Sequence, residues 1–400
     1  MSIKKEKIPI VRFRDFSEPW IKNQLSDVAE FSKGRGYSKK DLQSHGTPII
    51  LYGRLYTNYE SVISNVETYA NLEENSVVSE GGEVIIPASG ESADDISRAS
   101  CVIDRGIILG GDLNIVRPHE YLNSLFIAIT LSNGSQQREL SKRAQGKSVV
   151  HLHNSDLKSV KLFYPSYEEQ TAISSLFRTL DELLASYKDN LANYQSLKAT
   201  MLSKMFPKAG ETVPEIRLDR FESGWEEKEF SKLVKRVTQS SDSDSLPKVE
   251  FEDIISGQGR LNKDISNKFD NRKGIHFEPG YTLYGKLRPY LNNWLLPKFE
   301  GVALGDFWVF DPNGNDSNFI YYLVQSSRYQ KVANDTSGTK MPRSDWKSVS
   351  STVFAIPQTI AEQQAIGSYF SNLDNLIDAH QEKISQLETL KKKLLQDMFI

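Results

Sequence analysis

Cysteine is almost absent from this chain of 400 residues. Cys101 stands alone, so an internal disulfide framework is excluded and a reducing compartment is expected. No apolar run approaches the roughly 20 residues needed to span a bilayer. The opening Met1-Ser2-Ile3-Lys4-Lys5-Glu6-Lys7 is charged and leads into no apolar core, so a cytoplasmic location is expected. Net charge is scarce as well. Residues 1–163 carry 20 basic and 20 acidic side chains, and 207–356 carry 21 of each. Residues 164–206 and 357–400 contribute −1 and −2, which makes the total −3. A free-standing nucleic-acid binder is often basic. Any such contact here must rest on local clusters or on a basic partner.

Catalytic signatures are missing too. Gly146-Lys147-Ser148 resembles the tail of a phosphate-binding loop, but Ser141 stands where that loop needs a glycine. Gly257-Gln258-Gly259 lacks the third glycine of a dinucleotide fingerprint, which Asn262 replaces, and Gly34-Arg35-Gly36 fails in the same way. His151 and His153 have no second cysteine and no His-Glu-x-x-His near them, so no metal site is expected. Neither Asn-Pro-Pro-Tyr nor Asp-Pro-Pro-Tyr, which amino-methylating enzymes place around the target amine, occurs anywhere. The pattern is that of a binder without chemistry of its own.

What is abundant is self-similarity. Glu169-Gln170-Thr171-Ala172-Ile173 returns as Glu362-Gln363-Gln364-Ala365-Ile366, and 14 of 38 positions are identical between 169–206 and 362–399. Val11-Arg12-Phe13-Arg14-Asp15-Phe16 with Trp20 is echoed by Ile216-Arg217-Leu218-Asp219-Arg220-Phe221 with Trp225. Gly111-Asp112-Leu113 matches Gly305-Asp306-Phe307, and Ser155-Asp156-Leu157-Lys158 matches Ser344-Asp345-Trp346-Lys347. A period this long is no solenoid repeat; it marks duplication of a whole domain with its helix. Such a chain suits a two-part target. The reading is α+β, with domains at 1–163 and 208–356 and helical stretches at 164–207 and 357–400.

Residues 167–206 contain neither Gly nor Pro, with Pro165 before them and Pro207 after. Ile173, Leu180, Tyr187, Tyr194 and Met201 recur every seven residues, as do Ile366, Leu373, His380, Leu387 and Leu394. Sustained sevenfold spacing predicts helices packed along their length. About 40 residues make a rod of about 60 Å, long enough to act as a spacer. The globular parts read as strand-rich, with strands expected at 49–59, 83–88, 107–116, 281–287 and 302–310. Short helices are expected near 120–131 and 317–333, and an exposed loop at 238–248.

Arginine and lysine hold phosphates, and with asparagine and glutamine they read base edges. In the first half the candidates are Tyr52, Arg54, Arg138, Lys142, Arg143 and Lys147. In the second they are Arg260, Lys263, Lys286, Arg288, Thr339, Lys340 and Arg343.

Together these features resemble the specificity subunit of type I restriction-modification enzymes, over essentially the whole chain. The carriers are Arg12-x-x-x-Phe16-x-x-x-Trp20 and its copy Arg217-x-x-x-Phe221-x-x-x-Trp225. Pro165 with Glu169-Gln170, Pro357 with Glu362-Gln363, Met205-Phe206-Pro207 and Met398-Phe399 complete the set. The resemblance implies two tandem mixed α/β target recognition domains in opposite orientations, separated by two antiparallel coiled-coil helices. Each domain would read one half of a split, asymmetric site in double-stranded DNA. The subunit would not be catalytic. Two methyltransferase subunits would bring S-adenosylmethionine and methylate adenine, and two restriction or motor subunits would bring ATP, Mg and cleavage. No cofactor is expected in this chain, and no membrane partner. Two other readings compete. One is a specificity subunit serving a smaller enzyme with methylation and cleavage fused. The other is a coiled-coil scaffold presenting two modules that do not bind DNA.

Overall fold

A computed structural model describes residues 8–399 apart from Gln145, Lys147, Ser148, Arg220, Asn267, Phe269, Ser337, Gly338 and Thr339. It divides into two compact units, residues 8–187 with 383–399, and residues 188–382. The fold is α+β, with two tandem mixed domains and two long helices, Tyr167–Lys204 and Ile360–Asp397. The first helix gives residues 167–187 to the first unit and 188–204 to the second. The second helix gives 360–382 to the second unit and 383–397 to the first. No helix among the described residues is long and apolar enough to cross a membrane.

The first domain is built on a five-stranded sheet. Its order is Ala29–Lys33, Leu113–Pro118, Glu83–Pro87, Ser100–Val102, Val62–Ile63, with only the last pair parallel. The helix Ser124–Leu131 is apolar on all sides and is buried on all sides, as such a helix must be. A further strand pair, Ile21–Gln24 with Lys161–Tyr164, brings the Trp20 segment against the chain that enters the first long helix. The second domain repeats this frame. Lys235–Val237, Phe307–Asp311, Thr282–Gly285 and Trp294–Leu295 form its main sheet, and Trp225–Glu229 pairs with Val353–Pro357. A second sheet of Ser240–Ser241, Gly274–Phe277, Gly301–Ala303 and Lys248–Val249 has no counterpart of the same make-up in the first domain.

Strands appear within 83–88, 107–116, 281–287 and 302–310 as expected. Two segments differ. In 49–59 the strand stops at Ile50, and a helical turn, Arg54–Thr57, follows. The tyrosines explain this: Tyr52 and Tyr56 are four apart, a helical spacing, and their rings meet edge to face at 5.9 Å. The segment 238–248 is not wholly loop. Ser240–Ser241 pairs with Gly274–Phe277, and Lys248 is fully buried.

Candidate nucleic-acid interface

The duplicated motifs turn out to be the fastening of each domain to its helix. Arg12 donates from Nε and Nη2 to the two Glu169 carboxylate oxygens at 2.7 Å each, and Arg217 grips Glu362 in the same way at 2.7 and 2.8 Å. Both carboxylates are buried, and each holds its guanidinium above the ordinary arginine range through these bonds. Gln170 accepts from the Asn123 amide at 2.8 Å, and Gln363 accepts from the Asp316 amide at 3.0 Å. Asn123 and Asp316 in turn cap the helices Ser124–Leu131 and Ser317–Leu323. The Arg and Glu-Gln members of these motifs therefore position each domain on its helix.

Within each unit, helix packing follows the same repeat. In the first, Phe177 meets Phe399 at 5.8 Å, and Asp181 accepts from Lys391. Tyr187 and Ile384 join one core there with Ile173, Leu180, Leu387 and Leu394. In the second, Phe206 stacks on Phe370 at 6.0 Å, Lys198 binds Asp374 at 2.6 Å, and Tyr194 meets His380 at 5.1 Å. Ile366, Leu373 and Met201 lie in that core. As one helix number rises the partner's falls, so the paired segments run antiparallel inside each unit.

Several basic residues picked from the sequence are engaged by carboxylates. Arg54 pairs with Glu60 at 2.6 Å and donates to the Asn65 carbonyl. Arg143 bonds Glu139 and Ser159. Arg260 pairs with Asp378 at 3.2 Å. Lys263 and Lys268 converge on the buried Asp253 at 2.9 and 2.6 Å. Burial alone would raise the Asp253 carboxyl, but the bonds from Lys268 and Lys263 outweigh it and hold the group below its usual range. Arg138 and Lys142 stand exposed on the helix Gly134–Arg143, and Tyr52 is partly exposed. Lys147 and Thr339 lie outside the described residues.

One cluster does come together. In the second domain the loop after Thr282–Gly285 lies beside residues 340–344. Arg288 N donates to the Pro342 carbonyl at 2.8 Å, Ser344 N donates to the Lys286 carbonyl at 2.8 Å, and Leu287 bridges Arg343. Lys286, Arg288 and Arg343 thereby share a platform two segments wide, and Lys340 precedes its second segment. Asp306 is an acidic partner for two of them, at 3.6 Å from Lys286 and 2.8 Å from Arg343. Basic side chains on two paired segments, with one carboxylate between two of them, form the kind of local cluster that a chain of balanced charge needs to meet DNA. Sequence reasoning missed the exposed apolar residues among them, Tyr290, Leu291 and Met341. The signal was the Pro289 that follows Arg288, which marks a turn.

The first domain has the same platform with other residues. Ala88 N donates to the Asp112 carbonyl at 2.7 Å and Leu152 N to the Ala88 carbonyl at 3.0 Å. In the second domain Lys286 N and Ser344 N make the corresponding bonds to Asp306 and Lys286. Ala88 thus stands where Lys286 does, followed by Ser89, Gly90 and the exposed Glu91, paired with Val150–His151. Ser89 Oγ and His151 Nδ1 lie 3.2 Å apart, and the rings of His151 and His153 are parallel at 6.3 Å. Among the described residues no His, Cys, Asp or Glu group is arranged to hold a metal. Cys101 is buried, which pushes its thiol up to about 12, far from a nucleophile's range.

Fold and site together define a class: a duplicated chain whose two domains share a frame and differ at the exposed loops. The family profile described as type I restriction modification DNA specificity domain matches residues 17–193 and 255–389. The chain belongs to that family and is a type I restriction-modification specificity subunit. It is 19% identical over 408 residues to the type I restriction enzyme MjaVIII specificity subunit of Methanocaldococcus jannaschii, covering 94% of this chain and 91% of the relative. The MjaIX specificity subunit of the same organism is 24% identical over 301 residues, 69% of this chain and 67% of that one. Among solved structures, the type I restriction-modification S subunit from M. genitalium is similar with a TM-score of 0.62 at 15% identity, covering 98% and 99% of the two chains. A chain from a structure on complex assembly and conformational transition of the type I R-M system matches with a TM-score of 0.51 at 14% identity, over 94% and 96%.

Proposed function

We propose that this subunit reads a bipartite, asymmetric site in double-stranded DNA, one half with each domain, in the cytoplasm. On that site it positions adenine methyltransferase subunits and restriction or motor subunits, and it catalyses neither reaction. The observation that carries this reading is the contrast between the two platforms. The same backbone bonds hold Lys286 in one domain and Ala88 in the other, and Arg288 follows the first where Ser89, Gly90 and Glu91 follow the second. Equivalent frames with unlike exposed side chains suit two different half-sites. S-adenosylmethionine, ATP and Mg belong to the partners in this scheme.

Two methyltransferase copies suit the duplication. Leu183 and Leu376 are 42% and 41% exposed, and Leu197 and Leu390 are 37% and 45% exposed. Each pair occupies equivalent positions of the repeat. Exposed leucines repeated at equivalent places in this way suit two copies of one partner.

The test is to express the chain with its methyltransferase in a host lacking both and to map methylated adenine across the genome. A single motif of two unlike halves separated by a constant gap is expected. A contiguous motif, or no sequence-dependent methylation from a complex that assembles, overturns the reading.

A further inference from the structure

The loop 286–292 is held in a conformation that L residues adopt at a cost. Arg288 has φ 49° and Asn292 has φ 54°, both left-handed. Between them the buried Pro289 starts the short turn Pro289–Leu291. The turn is anchored on several sides. Gly257 N donates to the Asn292 carbonyl at 3.0 Å, Gly285 N to the Asn293 carbonyl at 2.7 Å, and Ser256 Oγ to the Leu291 carbonyl. What this rigid turn presents outward is apolar. Tyr290 is 58% exposed, Leu291 38%, and Met341 on the adjoining segment 51%. Backbone strain that carries an aromatic ring out of the core serves recognition rather than folding.

We propose that Tyr290, with Leu291 beside it, is a specificity-determining contact that seats against the 5-methyl group of a thymine in the major groove. The inference rests on the reading of the second domain as a DNA-binding domain and goes further by naming the base. The platform is two hydrogen-bonded segments wide. The minor groove, about 6 Å across, is too narrow for it, whereas the major groove, about 12 Å across, admits a two-stranded ribbon. Lys286 and Arg343 beside the tip suit the phosphates on either side, and Arg288 at its base suits a base edge. Of the four bases only thymine offers an apolar group on its major-groove edge. An uncharged tip framed by cations is therefore matched to thymine and selects it over cytosine. The rigidity matters as well, because a pre-organised ring loses little freedom on binding.

The test uses the chain in complex with its methyltransferase and duplexes carrying the target site mapped in cells. Each thymine of the site is replaced singly by deoxyuridine, which removes only the methyl group. At one position the wild-type complex should bind about fourfold more weakly, the loss expected for one buried methyl. Tyr290→Ala should bind the thymine and uracil duplexes equally, and Tyr290→Phe should keep the wild-type difference. The exposed position makes both substitutions compatible with folding. The proposal is overturned if no thymine in the site is sensitive, if the sensitivity survives unchanged in Tyr290→Ala, or if Tyr290→Ala weakens binding at every sequence alike, as a stacking wedge would. A wild-type complex that fails to tell the site from scrambled DNA overturns the DNA-binding reading itself, a distinguishable failure.

Discussion

The two domains share a skeleton and diverge on its surface, and the divergence is not spread evenly. Where the domain meets its helix the copies agree almost atom for atom: Arg12 with Glu169 and Arg217 with Glu362, Gln170 on Asn123 and Gln363 on Asp316. Smaller exchanges there are only partly compensated. Ser174 donates to the Asn123 carboxamide oxygen, while Gly367 takes the same repeat position and leaves no room for a side chain, its would-be Cβ lying 2.7 Å from Asn318. Trp225 Nε1 donates to Glu362 at 3.0 Å, whereas Trp20 Nε1 has no hydrogen-bond partner among the described residues. At the platforms nothing is compensated. Lys286 and Arg288 face Ala88 and Gly90 across the repeat, and the second domain has a left-handed arginine in its loop. A duplicated protein keeps what holds each domain on its helix and frees what each domain shows to solvent.

The largest effect that would sharpen this contrast is a domain exchange. Replacing residues 20–160 with the matching domain of a related subunit should change one half of the methylated motif completely and leave the other half untouched. Methylation mapping reads this directly, and a change in both halves would show that the domains do not read independently. Next comes the shared fastening. Glu169→Gln and Glu362→Gln each leave a largely buried guanidinium without its carboxylate, a loss of about 3–5 kcal/mol. Glu362→Gln should be the worse of the two because it also disturbs the Trp225 bond. Thermal unfolding followed by calorimetry should show each variant lowering the stability of its own unit. Equal and negligible shifts would mean that the motifs serve something other than attachment.

The frame was legible in sequence because its signals are local and repeated. Sevenfold apolar spacing with Pro165 and Pro207 marks Tyr167–Lys204, and apolar runs bounded by turn residues mark Glu83–Pro87 and Thr282–Gly285. The site was only half legible. Arg54, Arg260 and Lys263 look like free cations until the fold brings Glu60, Asp378 and Asp253 to them. Pairing between residues as distant as Arg260 and Asp378 has no signature in spacing. Tyr52-Gly53-Arg54 and Tyr284-Gly285-Lys286 look alike as text, yet Ala88 is what stands in the place of Lys286, because register is a property of the sheet.

That difference separates two arginines in a prediction. Arg288→Ala should weaken recognition of the second half-site by about 1–3 kcal/mol, the range for a base-reading side chain. Arg54→Ala should leave discrimination of both half-sites unchanged and act on stability, since its guanidinium is spent on Glu60 and the Asn65 carbonyl. Competition binding with single-base variants of each half-site distinguishes the two. If Arg54→Ala changes base preference while Arg288→Ala does not, the basic platform has been assigned to the wrong loop.

The smallest expected effect concerns the acidic residue that both platforms share. Asp112 and Asp306 hold equivalent places, each accepting through its backbone carbonyl the amide that begins the platform loop. Their carboxylates differ in company: that of Asp306 lies between Lys286 and Arg343. Asp306→Asn keeps the backbone bond and removes the charge that neutralises those two cations. Exposed pairs of this kind contribute under about 1 kcal/mol, so the fold should be unaffected. Lys286 and Arg343 then become available to phosphate, and binding to DNA of any sequence should tighten a few-fold while its salt dependence steepens by about one counterion. Asp112→Asn should change neither, because its φ of 58° suits asparagine as well as aspartate and no ion pair is lost among the described residues. Titrations at a series of salt concentrations, with site and non-site duplexes, measure both slopes. A steeper slope for Asp112→Asn, or a weaker affinity for Asp306→Asn, would show that the two platforms meet DNA in the reverse of the order their charges suggest.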